Sequence, residues 1–169
     1  AYNMGIATLA PTDDNINRLG LSLTLGGGEV RPMELASAYA VFANGGYRVE
    51  PTVILKVADP KGNVLFEKKD IQKKKALSPE VAFIISHILL DNNARADTFG
   101  TNSYLNISGR SVAVKTGTTD DKRDNWTIGW TQNILVVAWV GNNDNSPMGN
   151  VASGGTGAAP IWRRIVLEA

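Results

Sequence analysis

The chain has 169 residues, of which 43% are hydrophobic and 20% charged, as is ordinary for one soluble globular domain with a sizeable core. Its 17 basic and 16 acidic residues give a net charge of +1 without a cluster that could follow a phosphate backbone, which excludes nucleic acid as the expected partner. The absence of cysteine excludes disulfides and thiolate chemistry but leaves the compartment open.

The first third of the chain predicts one clear helix. After a turn-rich start, residues 16–23 form either a short helix or an irregular segment. Pro32 suits the first position of a helix over Pro32–Ala43, and Asn44-Gly-Gly stops it. Arg31 offers no capping oxygen, which weakens the start by about 1 kcal/mol. The apolar stripe follows the i, i+3, i+4, i+7 spacing and consists of Leu35, Ala38, Tyr39 and Phe42.

Residues 47–77 are predicted to form a β-hairpin excursion beside the core. Short apolar runs at 53–57 and 64–67 flank an Asp-Pro-Lys-Gly turn, a combination typical of a hairpin. The lysine-rich stretch at 68–75 is short, interrupted and attached to the exit of the hairpin. We therefore expect a solvated connection there, not a surface for membrane or nucleic acid.

A second helix is predicted to begin after Ser78, whose hydroxyl can cap it, with Pro79 at its first position. Its apolar side chains form one stripe that we expect to pack on a sheet, namely Val81, Ile84, Ile85, Ile88 and Leu89. His87, the only histidine, lies off this stripe and is expected at the surface. One histidine excludes a multi-histidine metal site and gives no basis for a Ser-His-Asp triad.

The second half predicts a long loop at 91–109 with at most one turn of helix, and then a three-stranded antiparallel meander. Its strands are expected at residues 112–116, 126–131 and 133–140. A charged hairpin tip at 120–124 joins the first two of them.

The end of the chain predicts a further helix. An Asx-rich turn at 142–149 and glycine-rich residues 154–157 lead into a helix at about 158–167. Trp162, Ile165 and Val166 form its expected apolar side. Helices and antiparallel strands in separate blocks give the α+β class.

The strand that ends in Lys115-Thr-Gly-Thr is the strongest candidate for a site. Because side chains alternate across a strand, Thr116 shares a face with the two preceding valines, whereas Lys115 and Gly117 share the other face. Gly117 has no side chain where a second extended backbone would approach, so a peptide could bind along this edge by strand addition. The charge of Lys115 and the hydroxyls of Thr116 and Thr118 suit a ligand that ends in a carboxylate.

Lys-Thr-Gly alone is a weak signal, because an ordinary strand that ends in a glycine turn with a solvated lysine has the same pattern. It is also the third signature of penicillin-binding proteins and class A β-lactamases, beside Ser-x-x-Lys and Ser-x-Asn. Here residues 23–46 resemble the helix-bearing stretch of class A, bifunctional penicillin-binding proteins, and the resemblance covers about 19–162. Further segments recur in that family in the same order, at 115–119, 124–126, 129–131 and 158–162.

The other two signatures occur at no serine of this sequence. Ser111 and Lys115 are separated by three residues instead of two, and on a strand their side chains lie about 13 Å apart, too far for a hydrogen-bonded nucleophile and base. In the family both signatures precede the part represented here. We therefore expect residues 1–169 to be the C-terminal portion of one transpeptidase domain, inactive without its nucleophile.

The resemblance implies an antiparallel sheet of five strands flanked by helices, of which this chain supplies three. It implies a peptidoglycan D,D-transpeptidase in which an activated serine forms an acyl-enzyme with one stem peptide and a neighbouring stem peptide resolves it. Lys115 would raise the positive potential and keep the Ser-x-Asn hydroxyl competent for proton relay. The Thr118 backbone N–H would complete the oxyanion hole. The expected substrate-binding residues are Lys115, Thr116, Gly117, Thr118 and Thr119.

The resemblance also implies partners and a location. No metal or organic cofactor is expected. The expected partners are the N-terminal half of the same domain as a separate or cleaved chain, peptidoglycan stem peptides and β-lactams. The expected place is the outer face of the cytoplasmic membrane, reached through an N-terminal anchor missing from this sequence.

Two other functions stay open from the sequence. A serine β-lactamase or D,D-carboxypeptidase carries the same third signature, and a non-catalytic penicillin-binding-like module would share the sheet. The matches at residues 23–46 and 115–119 favour the bifunctional transpeptidase.

Overall fold

A computed structural model describes residues 1–149 and 155–169 of the protein. The helices of these residues are α1 (Asp13–Leu19), α2 (Pro32–Ala43), α3 (Pro79–Leu90), α4 (Ala96–Phe99) and α5 (Ala158–Glu168). The strands are β1 (Tyr47–Val49), β2 (Lys56–Ala58), β3 (Val64–Glu67), β4 (Lys73–Lys75), β5 (Ala113–Thr118), β6 (Asp124–Trp130) and β7 (Leu135–Gly141). Helices with antiparallel strands in separate blocks confirm the α+β class.

The N-terminal segment is more helical than the sequence predicted. Helix α1 begins at Asp13, three residues before the predicted segment, because the Thr12 hydroxyl accepts from the Asn15 N–H at 3.3 Å. A 3-10 helix follows over Gly20–Leu25.

Helix α2 has the predicted bounds, and Arg31 forms no side-chain cap. The helix ends where the Gly46 N–H donates to the Val41 carbonyl, with φ positive at Gly45 and Gly46. Its fully buried side chains include Val41, which lies outside the predicted stripe, because α2 contacts α3, β6 and β7 and so buries a wider arc.

Residues 47–77 contain two ladders. Strands β2 and β3 pair as the predicted hairpin, and Asp59 closes the turn by accepting from the Lys61 and Asn63 N–H groups at 2.8 and 2.9 Å. Strand β2, the first strand of this hairpin, begins at Lys56, later than predicted. The prediction that the lysine-rich stretch is only a connection is wrong, because Lys73–Lys75 forms a strand that pairs with β1. Its side chains are exposed as expected, so sequence alternation gave no sign of a strand.

Helix α3 has the predicted start, with the Ser78 hydroxyl accepting from the Val81 N–H at 3.4 Å. Three of the five residues of its predicted stripe are exposed instead of packed, since Val81, Ile84 and Ile88 are 46%, 53% and 59% exposed. The residue turned fully inward is Ala82, because α3 contacts α2 and β5 through a narrow face where a small side chain lets the elements approach. His87 is exposed, as predicted.

The central sheet is the predicted meander, in the order β5-β6-β7 with both pairs antiparallel. Helix α5 covers one face through Trp162, which is fully buried against Gly129. A Cβ at Gly129 would lie 2.5 Å from the Trp162 ring, so only glycine admits this packing. Helix α2 contacts the neighbouring Trp130 through Tyr39 at a centroid distance of 5.9 Å. Since adjacent strand residues face opposite ways, α2 and α5 cover opposite faces.

One detail of the C-terminal region differs from the sequence-based expectation. Ile165 is 44% exposed although it was placed on the apolar side of α5, whereas Trp162 and Val166 are buried. The predicted glycine-rich lead at 154–157 begins outside the described residues. In the described ranges, no helix combines the length and apolar character needed to cross a membrane.

Candidate active site

Strand β5 forms one edge of the central sheet and carries the candidate site residues. Ala113 and Val114 are buried, Lys115 is exposed, Thr116 and Gly117 are half-buried and Thr118 is exposed, so exposure increases toward the end of the strand. Because side chains alternate along a strand, Lys115 and Gly117 lie on the face opposite to Val114 and Thr116. The Nζ of Lys115 bends back to the carbonyl oxygen of Thr116.

The backbone of β5 presents alternate residues to the free edge. The carbonyl oxygen of Val114 accepts from Arg95 Nη1 at 3.2 Å, and that of Thr116 accepts from the Lys115 side chain, so both bond to groups outside β6. Thr119 is an odd number of residues away from both, and its N–H instead points toward β6 and donates to the Asp124 carbonyl at 3.0 Å. Because the direction alternates with period two, the Thr118 N–H points to the free edge. An outward N–H here is the geometry that an oxyanion-hole donor requires.

Gly117 leaves open space on the face that it shares with Lys115. In the described part of the chain, a Cβ built on Gly117 meets only the Cβ of Trp126, at 3.7 Å, which is an ordinary van der Waals contact. Its φ lies outside the left-handed region that favours glycine. Among the described residues, neither packing nor backbone conformation requires glycine at this position.

Thr118 lies opposite Asn125 in the register of β5 and β6. Asn125 is fully buried, and its Nδ2 donates to the Thr118 hydroxyl oxygen at 3.0 Å. Its Oδ1 accepts from the Ala158 N–H, the first of α5, at 2.7 Å. One side chain therefore connects the candidate site with the terminal helix.

Thr119 is held in the hairpin turn. Its hydroxyl accepts from the Asp124 N–H at 2.8 Å, and Asp124 Oδ1 in turn accepts from Trp139 Nε1 at 2.9 Å. The tip itself needs positive φ at Asp121 and Lys122. The charged segment is thus the predicted hairpin tip, and the Thr119 side chain is engaged in closing it.

Arg95 connects β5 with helix α3. Besides its bond to Val114, it donates from Nη2 to the Leu89 carbonyl at 2.9 Å. Burial lowers the pKa of the Arg95 guanidinium, and the charge of Asp91 opposes that shift. Sequence reasoning assigned no role to Arg95 or Asn125, since their partners are 19 and 33 residues away in the chain.

Comparison with known proteins identifies the family. The family model described as the penicillin binding protein transpeptidase domain matches residues 7–167. Penicillin-binding protein 1A of Neisseria lactamica is 36% identical over 149 residues, which cover 85% of this chain and 18% of that protein. This chain belongs to the penicillin-binding protein transpeptidase family.

Solved structures of penicillin-binding proteins share the fold. PonA1 from Mycobacterium tuberculosis gives a TM-score of 0.73 at 24% identity, over 98% of this chain and 46% of PonA1. The structure of PonA1 in complex with penicillin V gives a TM-score of 0.65 at 25% identity over the same shares of the two chains. The resemblance to class A penicillin-binding proteins is therefore confirmed, and the transpeptidase match extends beyond residues 19–162 at both ends.

Proposed function

We propose that this chain is the Lys-Thr-Gly part of a peptidoglycan D,D-transpeptidase and that it presents the acyl-donor stem peptide to a serine supplied by the rest of the domain. The observation that carries the proposal is the free edge of β5. There an exposed lysine, a glycine with open space beside it and an outward Thr118 N–H lie within four residues of the strand. A peptide ending in D-Ala-D-Ala can pair along that edge with its carboxylate near the hydroxyls.

Each predicted site residue has a role in this proposal. Lys115 supplies positive potential and supports proton relay through the Ser-x-Asn hydroxyl, while Gly117 leaves room for the peptide backbone. Thr116 and Thr118 bind the carboxylate, and the Thr118 N–H stabilises the oxyanion. Thr119 contributes as the residue that closes the turn beside them.

The chemistry follows two acyl transfers. The serine oxygen bonds to the penultimate D-Ala carbonyl carbon, its proton passes to the leaving nitrogen, and the terminal D-Ala departs. An amino group of a neighbouring stem peptide then attacks the ester, forms the amide crosslink and returns the proton to the serine oxygen. A β-lactam enters the first step only, because its opened ring stays attached and blocks the second.

The proposed partner is the N-terminal half of the same domain. The family sheet has five strands, and if β5 is the substrate edge, the two further strands pair with β7 at the opposite edge. The exposed apolar side chains of α3, among them Ile84 and Ile88, supply a surface for the same partner. Without that half the chain has no nucleophile and is inactive. The assembled protein would act where peptidoglycan is built, outside the cytoplasmic membrane.

Peptidoglycan crosslinking by the protein that carries this chain tests the proposal. Glycan chains bearing stem pentapeptides are the substrate, and both released D-Ala and crosslinked dimers are measured. A transpeptidase releases D-Ala together with crosslinks, and penicillin stops both. Release without crosslinks would identify a D,D-carboxypeptidase, and neither product would leave a non-catalytic module.

A further inference from the structure

The orientation of the Asn125 amide is fixed by the helix that it contacts. The Ala158 backbone nitrogen can only donate, so the amide atom 2.7 Å from it must be the oxygen. The helix α5 has Gly157 at its N-cap position and no side-chain cap of its own. Asn125, which lies on strand β6, therefore caps α5. A Cβ on Gly157 would lie 2.5 Å from Asn125 Oδ1, so glycine is what permits this approach.

This orientation dictates the direction of the next hydrogen bond. With the oxygen committed to α5, the Asn125 group that faces Thr118 is the NH₂, which only donates. The Thr118 hydroxyl must accept that bond, so its own proton points elsewhere. In the described part of the chain it has no acceptor, and Thr118 is exposed beside its outward N–H. The hydroxyl proton is thus left for a ligand at the edge of β5.

We propose that Asn125 is a positioning residue that fixes the Thr118 hydroxyl as a hydrogen-bond donor to the carboxylate of the acyl donor. The chain of donors runs from the Ala158 N–H through the Asn125 amide to Thr118 and the ligand. Because Asn125 is fully buried, water does not compete for its Oδ1 or Nδ2. The inference rests on the proposed function, since it assigns the carboxylate end of that same substrate to Thr118.

We call this chain of hydrogen bonds from Asn125 through Thr118 to the ligand the relay. Asn125→Asp separates the capping of α5 by Asn125 from the relay. A carboxylate still accepts from the Ala158 N–H and is favoured at a helix N-terminus. It has no N–H for Thr118, however, and instead takes the Thr118 proton away from the ligand. Helix capping therefore persists while the donor to substrate is lost. Asn125→Ala removes both functions and serves as the comparison for folding.

The experiment measures acylation of the complete protein by a penicillin and by its methyl ester, which lacks the carboxylate charge. Asn125→Asp should slow the penicillin roughly tenfold to a hundredfold, the range expected for one hydrogen bond to a charged group, and the ester much less. Equal slowing of both probes, or no slowing of either, would overturn the inference.

A double mutant distinguishes the relay from simple charge repulsion. In a Thr118→Val background there is no hydroxyl to redirect, so Asn125→Asp should cause no further slowing of the penicillin. Additive slowing would mean that the new carboxylate merely repels the ligand, and the relay would be wrong. With Asn125 unchanged, Thr118→Ser keeps the hydroxyl and should therefore be acylated by the penicillin at most of the parent rate, unlike Thr118→Val.

Failure of the proposed function gives a separate result. If the unaltered protein is not acylated by either probe, the proposed transpeptidase is wrong, and the relay is then judged by NMR binding of a D-Ala-D-Ala peptide and its C-terminal amide. Stronger binding of the acid that Asn125→Asp abolishes, but not in the Thr118→Val background, would support the relay. Equal or absent binding of both peptides would overturn it.

Discussion

Replacing Gly117 by valine is expected to block the site without unfolding the protein. Among the described residues, the nearest atom to a new Cβ is the Trp126 Cβ at 3.7 Å, and φ is not in the left-handed region, so the folded chain accommodates a side chain. Glycine inside a strand is less stable than alanine by roughly 0.5–1 kcal/mol. Gly117→Ala should therefore hold or raise the melting temperature, by up to about 2–4 °C for a chain of this size.

Gly129 provides the matched control on the neighbouring strand. A Cβ there would lie 2.5 Å from Trp162 and 2.8 Å from the Ala113 carbonyl oxygen, both inside the packed sheet. Overpacking of this kind costs about 1–3 kcal/mol, so Gly129→Ala should lower the melting temperature by several degrees. The same substitution thus has opposite effects on stability at the two glycines.

The assay pairs thermal melting with β-lactam acylation of the complete protein. Gly117→Val should melt cooperatively and fail to acylate, and Gly117→Ala should be intermediate, because the side chain occupies the space of the bound peptide backbone. Acylation of the valine variant at the parent rate would show that the substrate does not run along β5. Loss of folding in that variant would show that the glycine is a backbone requirement, contrary to the structure.

Three further predictions concern charge, capping and pH. Lys115→Ala should slow acylation by roughly a hundredfold. It should change the free energy of unfolding by less than about 0.5 kcal/mol, since the side chain is exposed. A loss of acylation that is matched by a loss of stability would refute a role of Lys115 in the site. Asn125→Ala should destabilise the isolated chain by about 1–3 kcal/mol in urea melts and Asn125→Asp by less, because only alanine leaves the buried Ala158 N–H unsatisfied. Hydrogen bonds from Asn63 hold the pKa of Asp59 below its usual value, so this group stabilises the fold above its unfolded pKa and the contribution is lost as pH falls through the lower folded pKa; Asp59→Ala should flatten that acid limb in a pH titration of stability.

Local signals in the sequence determined the element bounds where they were strong. Pro32 and the glycines after Asn44 bracket α2, and Ser78 with Pro79 starts α3, because each of these residues acts on backbone groups within one turn. The alternation around Lys115 gave the two faces of β5 for the same reason. Such signals are short in range, and so is what they predict.

The features that sequence reasoning missed depend on contacts between distant residues. The apolar arc of α3 is wide, and only its packing on α2 and β5 selects the Ala82 side over the Ile84 side. The pairing of Lys73–Lys75 with β1 leaves both faces solvated, so no alternation marks it. The Asn125 side chain is hydrogen-bonded to both Thr118 and Ala158. No local sequence pattern around a polar residue in a strand predicts a partner in a helix 33 residues later.

Mass mapping of the acyl-enzyme tests the central claim most directly. The complete protein is treated with penicillin, digested and searched for the covalent adduct, and the isolated 169-residue chain is treated in parallel. We predict one adduct on a serine outside these residues and none on the isolated chain, because no serine of this sequence carries the Ser-x-x-Lys signature and the proposed function assigns the nucleophile to the rest of the domain. An adduct on any residue of this chain, or no adduct on the complete protein, would contradict the account.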